Sequence, residues 1–253
     1  MIEEAASSFP GRAGIAFYDL DLGQGVYVGA EEPFEAASLI KLPILVEFYQ
    51  QVVGGTLKAD EEIAFLEEYR VEGSGVIKKQ PAGTRYKLSE LASLMITHSD
   101  NVATDMLTDR LGIENINKHM EGLGLTQTVL GRHIYDFAEI ERGNDNLASA
   151  RDIAVLLQGI AEGELPGSTP MHQILEAQTR KDMIPAQLPP GTRIAHKTGE
   201  LIGVLHDAGI VYTPRGAYVL VLMGQDFSAP DVAIQHWADL SGRIYREFVA
   251  VRG

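Results

Sequence analysis

The chain has 253 residues, 45% of them hydrophobic and 22% charged, which is ordinary for a globular protein with room for a sizeable core. A formal net charge of −14 argues against a nucleic-acid partner, and no apolar run approaches the roughly 20 residues of a membrane-spanning helix. Cysteine is absent, which excludes disulfides and thiolate metal sites.

The acidic start, Met1-Ile2-Glu3-Glu4, lacks the apolar segment of a secretory signal. The chain as it stands is therefore expected in the cytoplasm, and outside it if a leader precedes this sequence. Residues 14–20 and 25–29 then read as a β-hairpin around a turn at 21–24. A helix is expected over residues 38–51, ended by Gly54-Gly55. Residues 60–69 read as a short acidic helix, and Gly73 and Gly75 mark a loop, as do Pro81 and Gly83. Further helices are expected at 88–97 with Ser89 as cap, at 101–111 closed by Gly112, and at 114–122. Residues 132–146 form a long polar stretch of weak periodicity, read as a functional loop or an irregular helix. Helices at 151–161 and 171–179 follow. The pattern then switches to period two, with strands at 193–197, 208–212 and 217–223, and a helix over 232–251 closes the chain.

No internal repeat is visible. Two strands, a block of helices, three strands and a final helix suit one five-stranded antiparallel sheet flanked by helices, in an α/β arrangement of the α+β type. Residues 1–37 with 190–253 would form the sheet lobe, and residues 38–189 an inserted helical lobe. A ligand site is expected in the cleft between them.

The helix expected at residue 38 carries the first chemical signal. Ser38 and Lys41 stand three apart, so both side chains lie on one helix face. A serine is a weak nucleophile until a neighbouring base takes its proton, and a lysine is one known base. Capping serines and solvated lysines are common, but Leu39, Ile40, Leu42, Ile44, Leu45 and Val46 leave this helix little polar face. A lysine buried there is expensive unless something holds it. Two more polar clusters follow, Ser99-Asp100-Asn101 between two helices and Lys197-Thr198-Gly199 at a strand end. Each alone is what a cap or a turn looks like.

Taken together and in this order, S-x-x-K, S-D-N and K-T-G are the motif set of class A β-lactamases and penicillin-binding proteins, and the chain resembles that superfamily over nearly its whole length. The resemblance implies a serine hydrolase that works through an acyl-enzyme, with β-lactam hydrolysis as the first expectation. A D-alanyl-D-alanine peptidase or esterase on the same scaffold, or a penicillin-binding sensor that does not turn over, are the alternatives. It assigns attack to Ser38, proton removal to Lys41, proton delivery to the leaving nitrogen to Ser99, and support of Lys41 and the substrate amide to Asn101. Lys197 and Thr198 would bind the substrate carboxylate. Gly199 and Glu200 would line the substrate, with the N–H groups of Ser38 and Glu200 as the oxyanion hole. A small-molecule substrate is implied, no metal or organic cofactor is called for, and a monomer is expected.

The sequence departs from the family pattern at two places. Ile134 falls where class A enzymes carry the glutamate that activates the deacylating water, and no E-x-x-x-N follows. Asp136, Glu139 and Glu141 are nearby carboxylates, more simply read as solvated. The arginine that usually joins the substrate carboxylate from the next strand is replaced by His206-Asp207, which leaves Arg243 on the last helix as a candidate.

Overall fold

The computed structural model describes residues 1–252. A short helix α1 (Ile2–Ser8) leads into β1 (Arg12–Asp19) and β2 (Gln24–Val28). The two-residue strand β3 (Phe34–Glu35) precedes a 3-10 turn (Ala37–Ile40) and helix α2 (Lys41–Val53). Short strands β4 (Glu62–Ala64) and β5 (Arg85–Lys87) pair with each other before α3 (Leu88–Thr97), α4 (Asn101–Leu111) and α5 (Ile113–Gly122). The polar stretch carries the one-turn helix α6 (Phe137–Glu141). It ends in β6 (Leu147–Ala148), which pairs with β3. Helices α7 (Ala150–Glu162) and α8 (Ser168–Glu176) lead to β7 (Ile194–Leu201), β8 (Val204–Thr213), β9 (Gly216–Gln225) and α9 (Pro230–Ala250).

The sheet is five-stranded in the order β2-β1-β9-β8-β7, with every neighbouring pair antiparallel. The N-terminal hairpin joins the C-terminal strands through β1 and β9, with Arg12 opposite Gln225 and Asp19 opposite Tyr218. Residues 218–223 are apolar without alternation because β9 is covered on both faces. Leu220 and Leu222 point to one core with Trp237 of α9, and Val219, Val221 and Met223 to the other with residues of α2 and α7. Phe9 stacks on Trp237 at 4.3 Å between ring centroids, fixing α1 against α9. Strand β7 is left as an edge, packed against α8 and the 3-10 turn that carries Ser38.

The structure corrects three local expectations. Residues 60–69 are not helical: Glu62–Ala64 is a strand and Glu67–Tyr69 a 3-10 turn. Their glutamates serve tertiary ion pairs instead, Glu61 with Arg110 at 2.8 Å and Glu62 with Arg85 at 3.1 Å. Ser89 is not the cap of α3. It lies inside the first turn, and the Glu90 carboxylate accepts the Lys87 N–H at 2.9 Å. The α-helix expected from Ser38 begins at Lys41, with Ser38 in the 3-10 turn before it.

Candidate active site

That 3-10 turn is the first of three segments that converge on Ser38. Side chains three apart eclipse in a 3-10 turn, which aligns Ser38 with Lys41 more directly than an α-helix would. Ala37 holds φ +45°, a left-handed conformation that costs a non-glycine residue about 1 kcal/mol or more and marks a functional turn. Lys41 is fully buried. Its Nζ lies 3.2 Å from Ser38 Oγ, 2.7 Å from Ser99 O, 3.1 Å from Ser99 Oγ and 2.9 Å from Asn101 Oδ1. Burial, helped by the Lys197 charge and opposed by Asp100 and Asp105, pushes its pKa well below the ordinary lysine value. A neutral amine has two N–H donors and one lone pair. The two shortest contacts, to Ser99 O and Asn101 Oδ1, use the donors and leave the lone pair for a hydroxyl proton.

The second segment is the α3–α4 corner. Ser99 sits at φ +51°, again left-handed, and donates to Ser38 Oγ at 2.8 Å. Asp100 is wholly buried and ties down the corner: Oδ2 accepts Val76 N (2.6 Å) and Ile77 N (2.9 Å), and Oδ1 caps α4 through Ala103 N (3.0 Å). Gly75, at φ +124°, passes so close that a Cβ would stand 2.5 Å from the Asp100 carboxyl carbon. Asn101 Nδ2 donates to Glu72 O at 3.0 Å, so the glycine loop forms one wall of the cleft.

The third segment is the edge strand β7. Lys197, fully buried, donates to Ser99 Oγ at 3.1 Å and to Thr198 O at 2.7 Å. Burial lowers its pKa to about 7, with Arg180 adding to the effect and Asp207 opposing it. Gly199 lets the strand pass the nucleophile turn, since a Cβ there would lie 3.2 Å from both Ser38 N and Ala37 Cβ. Ser38, Lys41, Ser99, Asn101 and Lys197 thus form one hydrogen-bonded set.

Ser38 opens onto two hollows. One, of about 320 Å³, is lined by Ser38, Ser99, Thr198, Glu200 and Arg180. The other, of about 350 Å³, runs under the polar loop past Glu35, Asn101, Ile134, Tyr135 and Leu201. Ile134 lines this second hollow with Ser38, and its N–H is held by Asp105 Oδ1 at 2.9 Å. Arg132 pairs with Asp145 at 2.8 Å, joining the two ends of the loop.

None of the three loop carboxylates lines either hollow. Asp136 caps α6 through Glu139 N at 3.2 Å, Glu139 is held by Arg142 and Asn144, and Glu141 is exposed. His206 and Asp207 are internal: His206 Nε2 donates to Glu35 O at 2.8 Å, and Asp207 accepts Ile184 N at 2.9 Å and pairs with His196 at 2.8 Å. Arg243 does not reach the cleft. It pairs with Glu4 at 3.3 Å behind the sheet, because α9 covers the opposite face. The arginine that stands beside Lys197 and Thr198 is Arg180, ion-paired with Asp182 (2.8 Å) and with Glu200. Sequence reasoning missed Arg180, Asp105 and Glu35, none of which belongs to a motif.

A serine hydrogen-bonded to a buried lysine beside the edge strand of an antiparallel sheet is the arrangement of a β-lactamase-like serine hydrolase. The chain belongs to the β-lactamase family described as "Beta-lactamase enzyme family", which matches residues 1–248. It is similar to the extended-spectrum β-lactamase PER-1 of Pseudomonas aeruginosa, 23% identical over 87% of this chain and 76% of that protein. Among solved structures, PBP-A superposes with a TM-score of 0.90 at 33% identity, over 98% of this chain and 94% of PBP-A. A leucine-to-glutamate mutant of PBP-A, solved as its acyl-enzyme complex with penicillin G, superposes at 0.89 with 32% identity, over 98% and 94% of the two chains.

Proposed function

We propose that the protein acts on β-lactams, or closely related amides bearing a carboxylate, through an acyl-enzyme on Ser38 that is hydrolysed slowly. The observation that carries this reading is the Ser38 hydroxyl held between Lys41 Nζ at 3.2 Å and Ser99 Oγ at 2.8 Å. Neutral Lys41 takes the Ser38 proton as Oγ attacks the carbonyl carbon. The N–H groups of Ser38 and Glu200 receive the developing oxyanion, an interaction worth roughly 3–4 kcal/mol per donor. As the C–N bond breaks, Ser99 gives its proton to the leaving nitrogen and takes one back from Lys41. Lys197, Thr198 and Arg180 hold the substrate carboxylate. The same reading assigns residues 1–37 with 190–253 to a sheet lobe and 38–189 to an inserted lobe.

Hydrolysis of the ester needs a base that aims water at it, and at the loop position where the resemblance expects a glutamate the hollow is lined by the hydrocarbon of Ile134. Acylation without prompt deacylation follows. The acyl-enzyme of the PBP-A leucine-to-glutamate mutant with penicillin G supports the first half, as a covalent state formed on a similar scaffold. Intact-protein mass spectrometry with excess benzylpenicillin, sampled from seconds to an hour, tests both halves. A persisting adduct is expected, and none on Ser38→Ala. An adduct that forms on Ser38→Ala overturns the nucleophile, and one that vanishes within seconds overturns the slow hydrolysis.

A further inference from the structure

The two hollows beside Ser38 differ in charge and texture. On the Thr198 side stand two cations, Lys197 and Arg180. The other hollow has apolar walls, in which Tyr135 (39% exposed), Phe137 (64%), Ile140 (37%) and Leu201 (41%) present large side chains to solvent. Exposed apolar residues that share one concavity mark a surface built to be covered by a ligand.

The charged groups of this hollow cancel in pairs, with one exception. Arg132 is held by Asp145 at 2.8 Å, and Glu200 by Arg180. Among the described residues Glu35 has no cationic partner. Its carboxylate accepts a hydrogen bond from Gln225 Nε2 at 3.4 Å. Strand alternation directs it to the cleft: Phe34 and Ala36 on either side are buried, and Glu35 lies three residues before the nucleophile. Burial first, then the carboxylates of Asp145 and Asp226, raise its pKa against the weaker pull of Arg132. A bound cation would relieve that repulsion.

We infer that this hollow selects substrates whose acyl chain is an apolar stem ending in an ammonium group, with Glu35 as the counter-anion and the Tyr135, Phe137, Ile140 and Leu201 side chains around the stem. The inference rests on the Ser38 acyl-enzyme reading, which fixes which side of the scissile bond each hollow receives. The carboxylate end of the substrate lies against Lys197 and Arg180, and the acyl end against Glu35. The substrate class is therefore a zwitterion with its positive charge on the acyl side.

Two amides of 6-aminopenicillanic acid test this, one with 6-aminohexanoic acid and one with heptanoic acid, which differ only in ammonium against methyl at the chain end. Second-order acylation rates are read by mass spectrometry at low and at high salt. The aminohexanoyl probe is expected to acylate about 5–10-fold faster, the gain of one half-desolvated ion pair. That ratio should fall to about one in Glu35→Gln, and shrink in about 1 M salt on the unmodified protein. Equal rates on the unmodified protein, or a preference that survives in Glu35→Gln, overturn the inference alone. No adduct from either probe overturns the serine reading and this inference with it.

Discussion

Replacing Ile134 with glutamate should convert slow deacylation into turnover, and the structure sets the size of the gain. A positioned general base accelerates a proton-coupled attack by roughly 10²–10⁴-fold, or about 3–5 kcal/mol. Against this stands Asp105, whose carboxylate already holds the Ile134 N–H at 2.9 Å and whose pKa burial raises to about 6. Two carboxylates about 5 Å apart repel by about 3 kcal/mol at an effective dielectric near 20. Asp105 escapes most of that by taking up a proton, which at pH 7 costs only about 1.4 kcal/mol for the single unit between pH and pKa. The net expectation for Ile134→Glu is a deacylation rate roughly 10–10³-fold higher at pH 7. Adding Asp105→Asn should give about a further tenfold. The assay is decay of the benzylpenicillin adduct after removal of free drug. Ile134→Glu protein that acylates normally yet loses its adduct no faster than the unmodified chain would refute the placement of the loop.

Two further outcomes follow from the buried charges. Lys197, with its pKa near 7, is cationic below that pH and neutral above it, so acylation by a carboxylate-bearing β-lactam should fall as pH rises through about 7. Lys197→Arg should keep that limb flat to about pH 9, because a guanidinium does not deprotonate there. A pH–rate profile of acylation decides it, and identical alkaline limbs would count against Lys197 as the carboxylate anchor. Asp105 has a folded-state pKa raised above its unfolded value, so its contribution to stability is full below about pH 4 and lost as pH rises through about 6. Asp105→Asn, which retains an acceptor for Ile134 N–H, should therefore stabilise the fold by up to about 3 kcal/mol at pH 8 and by little at pH 4, read as a rise in Tm of several degrees at pH 8 alone.

The hydrogen-bonded set around Ser38 was legible in the sequence because each motif is local. Ser38 and Lys41 meet through one helical turn, Ser99 and Asn101 share one corner, and Lys197 to Glu200 lie on one strand. The sheet was legible from apolar, β-branched and aromatic runs bounded by turn residues rather than from strict alternation, which β9, covered on both faces, lacks. Arg180 was not, because it reaches Thr198 across a loop by tertiary packing, and no spacing in the chain announces that. Glu35 reads as one surface glutamate among many until Phe34 and Ala36 are seen to be buried on either side. The failure at residues 60–69 has a different origin. Their glutamates have helix propensity, but Arg110 and Arg85 recruit Glu61 and Glu62 into long-range pairs that an isolated helix could not make.

The seam between β1 and β9 also has a bearing on how the molecule comes into being. Arg12 cannot find Gln225 until nearly the whole chain has been made. At roughly 5–20 residues per second, the first hairpin waits about 10–40 s with one edge open. A hairpin alone is marginal in water, so the start of the chain stays pliable through synthesis, and the sheet edge beside Ser38 is among the last parts to close. Helices α1 and α9 are tied together, with His236 Nε2 donating to Ala5 O at 2.8 Å and Arg243 on Glu4. A circular permutant that links α9 to α1 and opens the chain in the β2–β3 connection would cut the sequence separation of β9 and β1 from about 200 residues to about 40. It should fold faster than the natural order while keeping the same cleft.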